Sequence, residues 1–436
     1  MIASFFIAVF AAASANAARA HELAATPTAT AGEVSREAGG DSAPAPGSPA
    51  GSGTGVSRGA AVGPASGARP VTPEVPDVPP PPPGKGLRLA AIPVIAFASD
   101  TGLRLAGGVF VYDLDTRDMR NDWAALQLSW TSRGPRYAEI KGEARDLFGT
   151  QLRSFYQLKL HDDVAAPYWG EGARLEGAPS PGNGSPPKEF QYHVTGPWLA
   201  ASLRGPVRGN VGWFTRLRWT RRNIHERGAA LEAQRPTGFE GGGLALLAGG
   251  LVLDSRDDEI GATRGVFADA SVFGGPRLGR FSEHAMIGAN VTVREYLPLW
   301  RGATLAMRQL YENKVGDVPF SERTYLEGLG YGEGIGGAGT IRGMARDRLA
   351  GEEKMLGSVE LRARVLQAGW WGRVQEFGVS LGLDAGRARQ RGYAPVHGVG
   401  GFAGLRLAWD RAVLVRFEVG NAGEGQAYYL SFDEPF

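Results

Sequence analysis

From Leu87 onward the chain alternates apolar and polar residues with a period of two, over stretches of strand length separated by turn-forming residues. Successive side chains of a strand point to opposite faces, so this alternation marks β-structure with two unlike faces. In YAEIKGEAR, Glu139, Lys141, Glu143 and Arg145 share one face, and Ala138, Ile140, Gly142 and Ala144 the other. GWFTRLRWT sets Trp213, Thr215, Leu217 and Trp219 against Phe214, Arg216 and Arg218. Near the end, Val413, Val415, Phe417 and Val419 alternate with Leu414, Arg416 and Glu418. The pattern predicts about sixteen strands, an even number as in bacterial outer-membrane barrels. They are 87–98, 102–113, 123–132, 136–146, 151–161, 190–203, 209–222 and 243–254. The remainder are 265–273, 285–297, 303–313, 356–367, 375–386, 398–409, 412–420 and 426–436.

Connections then mostly alternate between short turns, at Gly205-Pro206, 298–301 and Asp410-Arg411, and long loops, at 162–189, 223–242 and 314–355. A soluble sandwich would alternate too, but with its polar face outward, and alternation alone does not say which face is inside. No stretch has the length and uniform hydrophobicity of a membrane-spanning helix. The N-terminal segment leans the choice towards a membrane. Residues 1–20 begin with an apolar run, Ile2 to Ala13, and offer small-x-small cleavage sites at Ala15-Asn16-Ala17 and Ala18-Arg19-Ala20, as a secretory signal peptide does. Residues 21–86 are Ala, Gly, Pro and Ser with scattered charges and a Pro79–Pro83 run, which reads as a disordered linker. With 65 Gly and charged inner-face candidates, residues 87–436 read as an all-β transmembrane antiparallel barrel.

The longest gap between strands, roughly Lys314 to Lys354, holds GGAGTIRGMARDRLAG, Gly336 to Gly351. Loops of that length are uncommon and usually functional or disordered. Arg342 in its middle carries five donors in a rigid fork. On a loop folding into a polar interior it would seek carboxylates, and the next two strands supply Glu360 in SVELRARV and Asp384 in GLDAG. The loop between strands 11 and 12 is therefore expected to fold inward.

These residues carry a resemblance. The Arg342-Gly343 loop, the Glu-x-Arg strand at Glu360 and the Asp-x-Gly strand at Asp384 and Gly386 resemble the BamA/TamA superfamily of outer-membrane β-barrels, the bacterial surface antigen type. PYWGEG, Pro167 to Gly172, is similar to a signature in the first long loop of its smaller members. LDSRDDEIGATRG, Leu253 to Gly265, resembles its Asp-x-Arg-Asp turn, where Asp side chains would also make Asx-type hydrogen bonds. The resemblance covers 87–436 and implies a lock of Arg342 and Gly343 against Glu360, Asp384 and Gly386. Two positions depart from it: Met344 stands where the family usually has Tyr or Phe, and Gly382 where a Phe commonly precedes Asp-x-Gly. The family's folded periplasmic POTRA modules have no counterpart in 21–86, which is too short and unpatterned.

The last strand, AYYLSFDEPF, carries Phe432 and ends on Phe436, the expected signal to the barrel-assembly machinery, with Tyr428 and Leu430 on the same face. Pro435 removes a ladder donor there, as edge and terminal positions tolerate. In this superfamily a weak seam between first and last strands is thought to open towards lipid. The expected function is insertion or translocation of protein or lipid at the outer membrane, with a passive pore as the alternative. The expected partners are outer-membrane lipid, the assembly machinery and a periplasmic protein standing in for POTRA modules. A net charge of +2 gives no reason to expect nucleic acid, and the absence of Cys excludes thiol chemistry. None of His21, His161, His193, His225, His284 or His397 lies in a hydrolase or zinc motif, so no enzyme activity, cofactor or metal is expected.

Overall fold

The computed structural model describes residues 87–436, except 114–121, 146, 174–185, 260, 301, 330–333, 371–372, 410–412, 424 and 433–435. The leader and linker expected at 1–86, and Pro435, lie outside the described residues. In chain order the strands are β1 (Leu87–Ala98), β2 (Gly102–Asp113), β3 (Trp123–Thr131), β4 (Pro135–Ala144), β5 (Arg153–Pro167), β6 (Gln191–Arg208), β7 (Val211–Arg227) and β8 (Gly241–Asp254). They continue as β9 (Gly265–Gly275), β10 (Met286–Trp300), β11 (Ala303–Gly316), β12 (Glu353–Trp370), β13 (Arg373–Arg389), β14 (Val396–Trp409), β15 (Val413–Asn421) and β16 (Gln426–Phe432). Each pairs antiparallel with its neighbours in sequence, and β16 meets β1, so these sixteen strands close into a barrel.

Burial decides which face is inside. On β12, Lys354, Ser358, Glu360 and Arg362 are buried, whereas Val359 between them is 46% exposed. On β13, Asp384 is buried while Leu381 and Leu383 are exposed. The same inversion recurs around the wall, with Leu126, Leu217, Leu247, Val272, Val399 and Leu405 outward and Arg218, Arg308, Glu312, Arg416 and Glu418 inward. An apolar exterior and a charged interior are the reverse of a soluble sandwich and the arrangement a bilayer demands.

Strand existence follows the alternation, but several strands run further than their apolar bands. β5 continues to Pro167, β7 to Arg227 and β12 begins at Glu353, because polar residues beyond the apolar belt still pair their backbones. Gly205-Pro206, expected as a turn, lies inside β6. Pro206 opposes Gly212 beside a register shift, and the chain reverses at 209–210 instead. One end of the barrel carries shorter connections, such as 209–210 and 255–264. The other carries long connections, including 168–190, 228–240 with helix α1 (Ala229–Gln234), 276–285, and 317–352 with the short helix α2 (Phe320–Thr324).

Candidate functional site

The described residues of 317–352 lie against the inner wall, held by two charge sets of opposite polarity. The first surrounds Arg342, which is fully buried. Its Nε and Nη2 donate to Asp384 Oδ2 and Oδ1 at 2.8 and 2.9 Å, a bidentate fork, and its backbone N–H reaches the same carboxylate at 3.2 Å. Nη1 donates to Glu418 Oε1 at 3.0 Å and Glu360 Oε2 at 3.3 Å. Glu360 also accepts from Arg362 and Arg406, each at 3.2 Å, and Glu418 from Arg416 at 2.5 Å. Four guanidinium groups thus share three buried carboxylates, where an unpaired charge would be severely penalised.

The structure therefore brings Arg342, Glu360 and Asp384 together. Ser358 rather than Glu360 opposes Asp384 across the ladder, so the fork reaches the two carboxylates diagonally. Glu418, on β15, completes the set. The sequence placed it on a polar face without assigning it to Arg342.

Glycine shapes the surroundings. Gly343 adopts φ +94°, and a Cβ there would lie 2.4 Å from Asn421 N. Its N–H donates to the Tyr429 hydroxyl of β16 at 3.0 Å. On the wall, a Cβ on Gly386 would meet Ile341 Cδ1 at 2.7 Å, and one on Gly400 would meet Arg342 O at 2.5 Å. Ile341 and Met344 pack with Leu310, Leu326, Ile335, Leu349, Leu356 and Ala388. Bare glycine wall lets this apolar tip approach.

The two family departures acquire a physical account. Met344 is buried with its methyl against Gly398. Gly382 is the register partner of Phe402, and the Phe402 ring centroid lies 3.1 Å from the Arg342 guanidinium carbon. A Cβ on Gly382 would meet Val359 O at 2.3 Å and the Phe402 ring at 2.6 Å. The aromatic surface under Arg342 comes from β14, and the space it takes leaves room only for glycine on β13.

The second set is reversed, with anions on the connection and cations on the wall. Glu322 of α2 receives Arg218 Nη2 at 2.6 Å and Arg222 Nη2 at 3.4 Å, and Glu327 receives Arg218 at 2.6 Å as well as Arg216. Burial pushes the Glu322 carboxyl up, but Arg218 and Arg222 outweigh it and hold the carboxyl well below the usual range. Buried Lys314 and Lys354 flank Glu312 at 3.2 and 3.0 Å and donate to carbonyls of residues 322, 323 and 325. Sequence reasoning missed this set, although Arg216 and Arg218 had been placed on one face.

PYWGEG packs on the same connection. Trp169 Nε1 donates to Arg346 O at 3.1 Å, Arg323 pairs with Glu171 at 2.7 Å, and Gly172 lies against the Tyr393 ring. In the β8–β9 turn, Asp254 Oδ1 accepts the Arg256 N–H at 3.3 Å, the expected Asx chemistry, and Asp257 accepts from Thr263 and Arg264 N–H at 2.9 and 3.1 Å across the turn. Burial pushes the Asp257 carboxyl up, but the Thr263 hydroxyl and those amides outweigh it and lower it.

β1 pairs with β2 along Leu87–Ala98 but with β16 only at Phe97↔Leu430 and Ala98↔Tyr429 among the described residues. Ser99 N–H donates to Tyr428 O at 3.1 Å just beyond them. Among the described residues the seam is closed at the long-loop end. Alternate residues of a strand turn their N–H groups to the same edge. Pro93 therefore sits on the Ser99 side, where a missing donor weakens the seam. Phe432 lies on the outer face, but Phe436 does not share it. Phe436 lies outside the ladder and is buried with Ala262, Tyr296 and Ala306. Its ring centre lies 4.5 and 5.1 Å from the guanidinium carbons of Arg308 and Arg362.

Residues 242–420 match the Omp85 superfamily domain. Among solved structures, the chain is similar to BamA from Haemophilus ducreyi lacking POTRA domains 1-3, at 13% identity and a TM-score of 0.51, over 80% of this chain and 70% of that one. It is similar also to CdiB from Escherichia coli, at 11% identity and a TM-score of 0.52, over 79% of this chain and 62% of that one, less than two thirds of its length. No curated protein matches the chain. Residues 242–420 thus carry an Omp85 superfamily domain, and the closed sixteen-strand barrel shares its fold with the barrels of BamA and CdiB.

Proposed function

We propose that this barrel inserts or translocates protein or lipid at the outer membrane by parting at the β1–β16 seam. The observation that carries the reading is the asymmetry of β1 among the described residues, paired with β2 along its length and with β16 at two positions. An unpaired strand edge is a template for another strand, and an edge facing lipid would offer a client backbone donors and acceptors it lacks in hydrocarbon. The burial of Arg342, Lys314 and Lys354 between the inner wall and the described residues of 317–352 speaks against an open axial pore along that side.

The chain has no Cys, so a reversible clamp can be built. Phe97→Cys with Leu430→Cys joins two register partners on the outer face. In liposomes holding the purified protein, folding of an added model outer-membrane barrel is expected to accelerate, to fall to the lipid-only rate when the clamp is oxidised, and to recover on reduction. Client folding indifferent to the clamp would overturn lateral opening. Steady ohmic conductance in planar bilayers would favour the passive pore.

A further inference from the structure

β8 projects past β9: their pairing starts at Leu247↔Gly274, leaving Gly241–Leu246 without a partner on that side. Residues 276–285 fold back along this edge. Glu283 N–H donates to Gly243 O at 2.8 Å, and Ser282 Oγ accepts the Ala245 N–H at 3.2 Å. Gly243 permits the approach, since a Cβ there would lie 2.5 Å from Phe281 O. The hairpin is thereby set on the outer wall. Phe281 stacks on Trp219, an outward residue of β7, at 5.5 Å and 12°, and Trp219 Nε1 donates to Phe281 O at 2.9 Å. Leu278 and Phe281 are nevertheless 53% and 54% exposed.

The height of this hairpin is informative. Outward residues of β7 run Leu217, Trp219, Arg221, Asn223, so the apolar belt ends at Trp219, level with Phe281. Beneath it lie the exposed Leu247, Val272 and Ile287. Around it lie Arg221, 3.8 Å from Glu283, Arg277, 2.7 Å from Asp317, and the exposed Arg280, which has no carboxylate within ion-pair distance among the described residues. An aromatic pair at the edge of an apolar belt, with a guanidinium above it, fits the bilayer interface.

We propose that residues 276–285 form a lipid anchor on the long-loop side. Leu278 and Phe281 enter the edge of the hydrocarbon, and Arg280, beside Arg221, binds the phosphate of an anionic lipid, which a planar fork suits. The proposal needs the barrel to span a membrane but is independent of what the seam does.

The test uses the full chain in nanodiscs. Leu278→Cys, and Glu232→Cys on α1 as an exposed reference, each carry a nitroxide. Leu278 is expected to show a severalfold higher ratio of oxygen to nickel-chelate collisions than Glu232, and to sit deeper in phosphatidylglycerol than in phosphatidylcholine. Arg280→Gln is expected to abolish that lipid difference. A chelate-accessible label at Leu278 overturns the anchor. Equal depth in the two lipids, or a difference untouched by Arg280→Gln, overturns the phosphate site. Heat-modifiable gel migration confirms folding of each variant.

Discussion

Replacing Arg342 with Ala should undock the tip of the 317–352 connection and leave the barrel standing. The loss concentrates on Asp384, whose ion pair among the described residues is with Arg342 and which would keep from it only the backbone N–H of residue 342. Glu360 keeps Arg362 and Arg406, and Glu418 keeps Arg416. Stranding one buried member of an ion pair costs about 3–5 kcal/mol. A buried Ile or Met such as Ile341 or Met344 contributes roughly 1.5–3 kcal/mol, so the penalty offsets about one to three of the tip's apolar anchors. At about 1.4 kcal/mol per tenfold, the undocked fraction should rise by roughly two to three and a half orders of magnitude. Hydrogen exchange reads this directly. The amides of Gly336, Gly337 and Leu349, bonded to Thr340 Oγ1, Met344 O and Ile335 O, should lose protection while those of β12 and β13 keep theirs. Arg342→Lys should recover part of it, since an ammonium cannot reproduce the fork. Unchanged exchange across 336–351 in Arg342→Ala would show that packing alone holds the tip and would sink the reasoning.

Other outcomes follow from the same geometry. Gly343→Ala should undock the tip by the same exchange measure, because φ +94° and the approach to Asn421 N both exclude a Cβ. Phe402→Leu, which keeps bulk and removes the π face, should weaken docking by about 1–2 kcal/mol in a double-mutant cycle with Arg342→Lys. Glu322 has a folded pKa below its unfolded one, so its contribution is present above the unfolded value of about 4.3 and is lost as pH falls through the lower folded value. Proteolysis around α2 should stay slow down to about pH 4 and rise only in stronger acid.

Alternation was legible because a barrel wall has two solvents, lipid outside and charge inside, and each strand records both. β1 and β2 have the expected bounds, since their apolar belts end where the strands end. β12 does not, because Glu353 and Lys354 lie above the belt and still pair. Arg342, Glu360 and Asp384 were legible as a lone fork and two inward carboxylates on adjacent strands. Glu418 and Phe402 were not. Which distant strands meet a loop tip depends on closure of the ring, and no local period encodes it. Phe436 escaped for a simpler reason: a period of two predicts a face only while the chain stays in the ladder.

The two charge sets also bear on the seam. With anions at Glu322 and Glu327 facing cations on β7, and a cation at Arg342 facing anions on β12, β13 and β15, a rotated connection would set like charges together in a dry interior. The tip is thereby aimed at β16, where Gly343 N–H donates to the Tyr429 hydroxyl. Tyr429 is also the partner of Ala98, one of the pairs closing β1 onto β16. Lock and seam share one residue. Removing the hydroxyl leaves a buried N–H unpaired, at about 1–3 kcal/mol. Loss of docking should thus be felt as a looser seam. In Arg342→Ala, disulfide formation between Phe97→Cys and Leu430→Cys under mild oxidation should slow markedly, and in Tyr429→Phe it should slow less. Unaltered oxidation rates in both would mean that the lock and the seam are held independently.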